Sequence, residues 1–305
     1  MLVFVASDKG GTGRSVTSCN IAYRSSLKGR AACYLDFDFG SPTAGSIFNI
    51  KHAMSGVTKD GLHSYLRGEC GAPERIDIWG ESDRPSLRIR PPGAANLTLI
   101  PGNEGGSEFA SDPNISKRCA ELFQKLNGQY EITFVDLSAG RSYATDIVLA
   151  ATATPIVKKI PTRWLVFHRW TRQHVRAAAT LVNGKGGILD RGEDCGHDRK
   201  DLEGSLRFIR TAVIDPRTKD LIGLRPSQVS FLQECDGDLV ELSSRLRVGR
   251  TRLLGSVPLE PLLQWREQLI SDNDVYDSKI ANRETLTAFQ DLAGALVDES
   301  AWGVV

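Results

Sequence analysis

The sequence predicts an α/β fold, with a doubly wound and mostly parallel sheet flanked by helices. Short apolar runs typical of buried strands alternate with helix-like stretches, a Gly-rich turn joins the first strand to a helix, and two strands end in Asp. This alternation favours a parallel sheet, because each parallel pair needs a long crossover connection. A hydrophobic content of 41% over 305 residues allows a sizeable core without a disulfide or structural metal.

The first unit of the alternation opens the chain. Leu2 to Ala6 is a strand-like apolar run, and residues 8–13 form a Gly-rich turn. A helix is predicted from Ser15 to Leu27, and Ala31 to Leu35 is a second buried-type strand. Strand, turn, helix and strand make a βαβ unit, which implies a parallel pair and a right-handed crossover.

Further strands and helices follow over the rest of the chain. The predicted strands are Leu97–Ile100, Ile132–Val135, Ile156–Ile160, Arg207–Ile214 and Leu253–Val257, and the predicted helices are Gly61–Arg67, Ser116–Leu126, Thr171–Val182, Asp238–Leu246 and Glu284–Asp298. We expect one domain over residues 1–305. The polar stretches near residues 76–95 and 184–204, which contain Gly and Pro, are interpreted as surface excursions rather than linkers.

Charge and cysteine content exclude several classes of protein. Lys and Arg total 38 and Asp and Glu total 37, so the net charge of +1 predicts no polyanionic partner by itself. The six cysteines form no CxxC pair, which argues against a zinc site and for reduced thiols. We expect a cytoplasmic protein, since the first residues carry no basic segment and no apolar stretch reaches the ~18 residues of a membrane span.

The strongest chemical motif is the turn after the first strand, Lys9-Gly10-Gly11-Thr12-Gly13-Arg14-Ser15. Its glycines allow successive backbone N–H groups to curl around phosphate oxygens, and the helix that follows adds the positive end of its dipole. The Ser15 hydroxyl is placed to serve Mg²⁺. The alternative is a Gly-rich strand-to-helix turn that binds no ligand.

Two acidic motifs follow predicted strands. The first is Leu35-Asp36-Phe37-Asp38, and the second is an apolar strand that ends at Asp136 and continues through Ser138 to Gly140. Carboxylates at the carboxyl ends of strands face the ligand crevice of an open parallel sheet. The alternative is that these are solvated turn residues, since Asp is common after strands.

Together these motifs resemble those of the ParA/MinD family of P-loop NTPases, whose fold is SIMIBI-like. The family's KGGxGK[ST] variant of the phosphate loop matches at every position except Arg14. The ordinary GxxxxGK[ST] pattern fails twice, because Asp8 stands at its first Gly and Arg14 at its Lys. The two acidic motifs are similar to the family's DxD and Walker B segments. Weaker similarities in the middle and at the end of the chain occur in the family's order.

The resemblance implies a site for ATP or ADP and Mg²⁺. Phosphate and nucleotide contacts are implied for Lys9, Gly10, Gly11, Thr12, Gly13, Arg14, Ser15, Val16 and Gly140, with Pro258 and Leu259 near the adenine. Ser15, Asp36 and Asp136 would serve the metal. Asp38 would position the attacking water, Lys9 would reach the partner's nucleotide, and Arg14 would contact the β- and γ-phosphates.

The resemblance also implies an ATP-dependent homodimer that switches binding to DNA or to a protein partner. Arg245, Arg247, Arg250 and Arg252 form a basic segment that could contact DNA, and a second basic stretch between Arg163 and Arg176 includes Trp164, Phe167 and Trp170. Either stretch could instead be a protein interface or a solvated basic face. The acidic residues 298–305 argue against direct membrane binding.

The expected activity is slow ATP hydrolysis of the partitioning or positioning type. Arg14 keeps the positive charge of the family's Lys but presents a planar fork in place of a compact ammonium. The rival interpretation is a degenerate, non-hydrolysing protein that binds nucleotide as a structural ligand and acts as a scaffold.

Overall fold

A computed structural model describes residues 1–217 and 223–303 of the chain. Within this part, eight strands form one sheet: β1 Leu2–Ala6, β2 Ala32–Phe37, β3 Ile76–Asp77, β4 Leu97–Ile100, β5 Ile132–Leu137, β6 Thr162–Arg169, β7 Leu206–Val213 and β8 Leu253–Pro258. The strand order is β3-β4-β2-β5-β1-β6-β7-β8. All neighbours are parallel except β3 and β4, which confirms the predicted mostly parallel sheet.

Helices cover both faces of the sheet. The α-helices of the described residues are α1 Arg14–Leu27, α2 Ala44–Ile47, α3 Leu62–Arg67, α4 Ile78–Glu81, α5 Pro113–Asn127, α6 Tyr143–Ala153, α7 Arg172–Asn183, α8 Ile188–Asp194, α9 Arg199–Gly204, α10 Pro226–Arg245, α11 Pro261–Trp265, α12 Asp272–Tyr276 and α13 Arg283–Ala295. Helices α1 and α13 pack on one face, and α5, α6 and α7 pack on the other. Each face therefore has its own apolar core.

Helix α1 is buried because its polar side chains find partners inside the protein. The Asn20 amide donates to the carbonyl of Gln268 at 3.1 Å and accepts from the backbone N–H of Ile270 at 2.8 Å. Arg24 donates to the carbonyl of Ile270 and pairs with Asp272, both at 2.6 Å. These contacts fix the middle and last turns of α1 against the later part of the chain.

The predicted strand at residues 156–160 is wrong. These residues form turns, and the strand lies one segment later, at Thr162–Arg169. Basic residues interrupt the apolar pattern of β6 in the sequence, so this strand was not recognised. Trp164 and Phe167 in β6, and Trp170 just after it, are buried. The three aromatic residues of this stretch therefore belong to the core, which removes them as a base-stacking surface, whereas Arg172 and Arg176 are exposed.

Other elements are longer or more ordered than the sequence patterns indicate. Helix α10 begins at Pro226, twelve residues before the predicted start, and α6 was not predicted. The stretch 76–95 contains β3 and α4, and it buries Ile78 and Trp79. The stretch 184–204 contains α8 and α9, and it buries Leu189 and Leu202.

Among the described helices, none is long and apolar enough to cross a membrane. Residues 304 and 305, which belong to the acidic stretch that argued against membrane binding, lie outside the described residues.

Candidate functional site

The three chemical motifs meet at the carboxyl edge of the sheet. The glycine loop leaves β1, Asp36 lies near the end of β2, and Asp136 lies near the end of β5. Strand β5 is the neighbour of both β1 and β2, and Asp36 is directly in register with Asp136. The strand order therefore places both acidic motifs on strands next to or near the one that carries the glycine loop.

The glycine loop has a backbone that only glycine adopts easily, and its outer side is open. Gly11 and Gly13 have φ of +69° and +72°, in the left-handed region. A Cβ placed on Gly10 or Gly11 would meet no atom within 4 Å. Space of this kind beside consecutive backbone N–H groups, at the start of a helix, fits a phosphate group.

One hydrogen bond ties the inner side of the loop to the sheet. The Thr211 hydroxyl, near the end of β7, donates to the Thr12 carbonyl at 2.5 Å and lies 3.3 Å from the His168 carbonyl. Thr12 itself is buried. The loop therefore keeps its shape through contacts made on the side away from the open space.

The Arg14 side chain turns inward from the first position of α1 and lies between two carboxylates. Its Nη2 donates to Oδ2 of Asp38 at 2.9 Å, and its Nε lies 2.6 Å from Oδ1 of Asp136. The second contact is an ion pair without hydrogen-bond alignment. Nη1 and Nη2 also approach the hydroxyls of Ser7 and Ser15, at 3.5 and 3.4 Å. The guanidinium thus links the ends of β1, β2 and β5.

Opposing effects act on the charge of this buried arginine. Burial alone would lower the pKa of Arg14, but Asp136 and Asp38 together outweigh it, so the pKa is raised and the guanidinium stays charged. Burial raises the pKa of Asp136, and the positive charge of Arg14 is the largest influence in the other direction. The arginine and the aspartate therefore stabilise each other's charged form.

Asp36 has a different environment from its neighbours. Its Oδ2 accepts the backbone N–H of Ala44 at 2.9 Å, and its Oδ1 accepts that of Asp38 at 3.3 Å. Burial, followed by the nearby charge of Asp136, raises the pKa of Asp36 to about 8. The neutral form of the Asp36 carboxyl is thus favoured by its surroundings, and the side chain anchors the start of α2.

The residues expected to hold Mg²⁺ do not fit that ion in this arrangement. Asp136 uses Oδ1 for Arg14, and its Oδ2 accepts the Tyr34 hydroxyl at 2.8 Å. Asp36 uses both oxygens for backbone N–H groups. Mg²⁺ requires near-ideal octahedral oxygen ligands at short distance. Since protein donors already engage these carboxylates, a cation at this place would have to displace the guanidinium.

A buried histidine fixes the segment that carries Asp38. The His63 ring lies in α3, its Nε2 donates to the Phe39 carbonyl at 3.0 Å, and its Nδ1 accepts the backbone N–H of Asn103 at 2.9 Å. Burial lowers the pKa of His63, which keeps the ring neutral and suited to this bridge. The Asp38 side chain, one residue from the anchored carbonyl, keeps 25% of its surface exposed.

Several solved structures have a similar fold over almost the whole chain. A putative plasmid partition protein of Borrelia burgdorferi B31 bound to AMPPNP has a TM-score of 0.61 and 14% identity, covering 98% of each chain. MinD of Pyrococcus horikoshii with Mg-ADP has a TM-score of 0.54 and 13% identity, covering 100% of this chain and 99% of that one. MinD in the MinC:MinD complex of Aquifex aeolicus has a TM-score of 0.58 and 16% identity, covering 97% and 95%.

The chain has the fold of the MinD and ParA-like P-loop ATPases. No family model matches the sequence, and no curated protein matches it. The similarity therefore lies in the fold and in the short motifs.

Within this MinD/ParA fold, the structure brings Gly140 to the glycine loop and leaves Lys9 at its rim. The backbone N–H of Gly140 donates to the Ser7 carbonyl at 2.7 Å, with φ at +80°. Lys9 is half-buried, and its charge helps to lower the pKa of His174 in α7, after the larger effect of burial. Among the described residues Lys9 makes no ion pair. Val16 is buried in the core behind the loop.

The two residues expected near the adenine line a large cavity. Pro258 and Leu259 line a space of about 1790 Å³ between β8, α10 and α13, together with Phe231 and Leu254. Leu259 donates its backbone N–H to the Val213 carbonyl at 2.9 Å, which fixes this segment to the end of β7. Of the described residues that line the cavity, none belongs to the glycine loop.

The four arginines proposed for DNA differ in environment. Arg245 and Arg250 are exposed, while Arg252 is half-buried and pairs with Glu203. Arg245 and Arg247 line a shallow cavity of about 550 Å³, to which Arg176 also contributes. Three acids lie nearby in the sequence. Asp236 accepts the Trp170 indole N–H at 2.7 Å and Asp238 pairs with Arg172 at 2.8 Å, whereas Glu241 is exposed.

Sequence reasoning missed three residues that build the site. Thr211 holds the glycine loop, Tyr34 donates to Asp136, and His63 fixes the segment after Asp38. Tyr34 belongs to a buried strand run and His63 to an apolar helix, where each would be assigned to the core. The Thr211 contact joins residues far apart in sequence, so no local pattern indicates it.

Proposed function

We propose that this protein is an ATP-binding switch of the partitioning or positioning type, which dimerises with ATP bound and hydrolyses it slowly. The proposal rests mainly on one observation, the glycine loop with its open outer side at the carboxyl end of β1. In a parallel α/β sheet this edge is the usual place for ligands. Similar solved structures carry AMPPNP or Mg-ADP.

Each residue of the loop has a role in this proposal. The backbone N–H groups of residues 10–13 bind the phosphates, and α1 adds the positive end of its dipole. Asp38 orients the attacking water, and Arg14 supplies the positive charge beside the phosphates. Pro258 and Leu259 stay our candidates for contact with the base.

The position of Lys9 supports the proposed dimerisation. A half-buried ammonium at the loop's rim, with no ion pair among the described residues, is free to meet a charge brought by another molecule. In an ATP-bound dimer that charge is the triphosphate of the partner subunit. Contact with a developing negative charge is most effective where water is excluded, as at such an interface.

A second candidate is a nucleotide-binding scaffold that does not hydrolyse ATP. One observation favours it: the carboxylate that should orient water, Asp38, is paired with Arg14 at 2.9 Å. A carboxylate held in an ion pair is a weaker hydrogen-bond acceptor for water. Both candidates share nucleotide binding, and ATP turnover separates them.

The switch is expected to act on DNA or on a protein partner through the surface around Arg245, Arg247 and Arg250. The MinC:MinD complex shows that a protein of this fold can bind a protein partner. For this chain the arginine-rich surface favours a polyanion, because two of the acids nearby, Asp236 and Asp238, already have partners.

Light scattering with ADP, ATP and a slowly hydrolysed ATP analogue tests this function. We expect a monomer with ADP and a dimer with ATP or the analogue. Lys9→Ala should bind nucleotide yet remain monomeric, whereas Lys59→Ala, which removes an exposed lysine outside the loop, should dimerise normally. A molecular mass that ignores nucleotide in every sample would contradict the proposal.

A further inference from the structure

The position of the Arg14 side chain distinguishes this site from one that depends on a metal ion. The Arg14 guanidinium lies 2.9 Å from Asp38 and 2.6 Å from Asp136, and only 7% of the side chain is exposed. It contacts Ser15 and Asp136, two of the three residues whose oxygens a metal ion would need, and Asp36 is in register with Asp136 on the neighbouring strand. A fixed cation therefore already lies between Asp38 and Asp136.

The surrounding hydrogen bonds hold that arrangement in place. Tyr34 donates to Asp136 at 2.8 Å, and its hydroxyl lies 2.7 Å from that of Ser18 in α1. Ser18 also donates to the Arg14 carbonyl at 2.9 Å. The backbone of Arg14 and the acceptor of its side chain are thus fixed by one short chain of polar groups, all of them buried.

The chemistry of arginine makes this place hard for a divalent ion to take. A planar guanidinium with several N–H groups contacts two carboxylates at once, which a single ammonium does less well. Removing one partner of a buried ion pair leaves an uncompensated charge, so displacement of the guanidinium is strongly disfavoured. A metal ion placed beside the undisplaced guanidinium would be repelled by it.

We propose that Arg14 acts as the built-in counter-cation of this site, so that the glycine loop binds nucleotide phosphates without a divalent metal ion. The inference rests on the proposed function, namely that the loop binds nucleotide. Arg14 neutralises Asp38 and Asp136, which would otherwise repel the phosphates. The loop amides then bind the phosphates themselves.

The test is the affinity for ATP with millimolar Mg²⁺ and with EDTA, measured by calorimetry on the full chain. In the wild-type protein the Kd for ATP should differ by less than about threefold between Mg²⁺ and EDTA. In Arg14→Lys, whose ammonium cannot bridge both aspartates, Mg²⁺ should strengthen binding by at least about tenfold.

Arg24→Lys is the matched control. Arg24 is also a buried arginine of α1 paired with an aspartate, but it lies away from the loop. It should retain the metal-independent affinity of the wild-type protein, which separates the effect of position from that of losing a buried guanidinium.

Two results would overturn the inference in different ways. ATP binding by the wild-type protein that requires Mg²⁺ would contradict the metal independence while leaving nucleotide binding intact, and this result needs no variant to fold. Absence of ATP binding with Mg²⁺ and with EDTA would overturn the proposed function, and this inference with it.

Discussion

Asp38 and Asp136 lie on two different strand ends, and a single guanidinium holds both. At the residue scale this couples the role expected of Asp38, which is to orient water, to that expected of Asp136, which is to serve the metal. Any movement of Arg14 changes the environment of both aspartates. The aspartate expected to orient water is also the more exposed of the two, at 25% against 2% of the side chain. Asp38 is therefore the partner that can most easily be released.

Replacing Arg14 by lysine should release Asp38 and speed up hydrolysis. We expect Arg14→Lys to raise the ATP turnover number about tenfold, a fraction of the full effect of general-base catalysis. The physical reason is that one ammonium cannot hold both carboxylates, so Asp38 becomes free to orient water. Steady-state phosphate release in the presence of Mg²⁺ measures it, with Arg24→Lys as control. An unchanged or lower turnover number would show that the site has adapted around arginine.

We predict that the stability of the protein depends on pH through His168, whose backbone carbonyl lies beside the Thr211 hydroxyl that holds the glycine loop. Burial lowers the pKa of His168 to about 4, from an ordinary value of 6.5. Above pH 6.5 the ring is neutral in both the folded and unfolded states. As the pH falls from 6.5 towards 4, the unfolded chain binds a proton that the folded protein excludes, so stability is lost, on the order of 3 kcal/mol in all.

His168→Gln should abolish that loss, because glutamine does not titrate. Urea unfolding at pH 7 and pH 4.5 gives the free energy of unfolding for both proteins, and the decrease on acidification should be smaller in His168→Gln. His52→Gln, which changes a half-exposed histidine, should decrease as the wild-type protein does. Equal decreases in all three proteins would contradict the assignment.

Some parts of the site could be predicted from the sequence and others could not. The glycine loop and the strand-end aspartates follow from local patterns, since each sits where a strand ends. The inward turn of Arg14 does not, because it depends on the spacing of three strand ends that only the folded sheet defines. The Thr211 tether is missed for the same reason: it joins residues almost two hundred positions apart.

At the element scale, the turn after α10 carries the exposed charge. Arg245 ends α10, Arg247 follows with φ of +58°, and Arg250 begins a 3-10 turn. These three arginines therefore project from a bend in the chain rather than from one helical face. Arg252 pairs with Glu203 and is better regarded as part of the scaffold.

This bend should provide DNA binding that depends strongly on salt. If three phosphates are contacted per subunit, log K should fall by about 2.7 per log unit of salt for each subunit, and twice as steeply for a dimer. Changing Arg245, Arg247 and Arg250 together to Ala should remove this binding and leave ATP affinity unchanged. Fluorescence titration of duplex DNA with ATP present measures it.

A matched triple change tests whether the position matters. Arg67, Arg88 and Arg90 are exposed arginines elsewhere on the molecule, and their replacement by Ala removes the same net charge. This variant should bind DNA nearly as the wild-type protein does. If the wild-type protein with ATP ignores DNA at low salt, the arginine-rich bend is a protein contact instead.

Strands β4 and β6 show where the sequence pattern predicts a strand correctly and where it does not. Strand β4 lies at the residues predicted, because its apolar run ends sharply at Pro101. Strand β6 was misplaced because Arg163, His168 and Arg169 break its apolar pattern. His168 is buried, and Arg163 stacks on Trp302 at 4.4 Å while pairing with Glu299. Tertiary partners of this kind make charged residues acceptable in a central strand, and a single sequence does not reveal them.

At the scale of the whole molecule, strand order determines what the site can be. β1 lies between β5 and β6, so the glycine loop opens beside the Asp136 segment on one side and the β6–β7 edge on the other. The alternation of strands and helices predicted the parallel sheet, and the fold likeness to MinD and plasmid partition proteins agrees with it. The antiparallel pairing of β3 on β4 was not predicted, because two residues are too few to form a recognisable pattern.

The central claim is that the loop between β1 and α1 binds ATP, and calorimetric titration of ATP tests it most directly. Gly13→Val should abolish binding, because valine is strained at a φ of +72° and its side chain would press on Val16, Thr17 and Thr211, which distorts the phosphate loop. Gly186→Val is the matched control: Gly186 has φ of +65° against +72° for Gly13 and is also half-buried, but it lies outside the loop. The account predicts that ATP binds to the wild-type protein and to Gly186→Val, and not to Gly13→Val. Equal ATP affinity in all three proteins would contradict it.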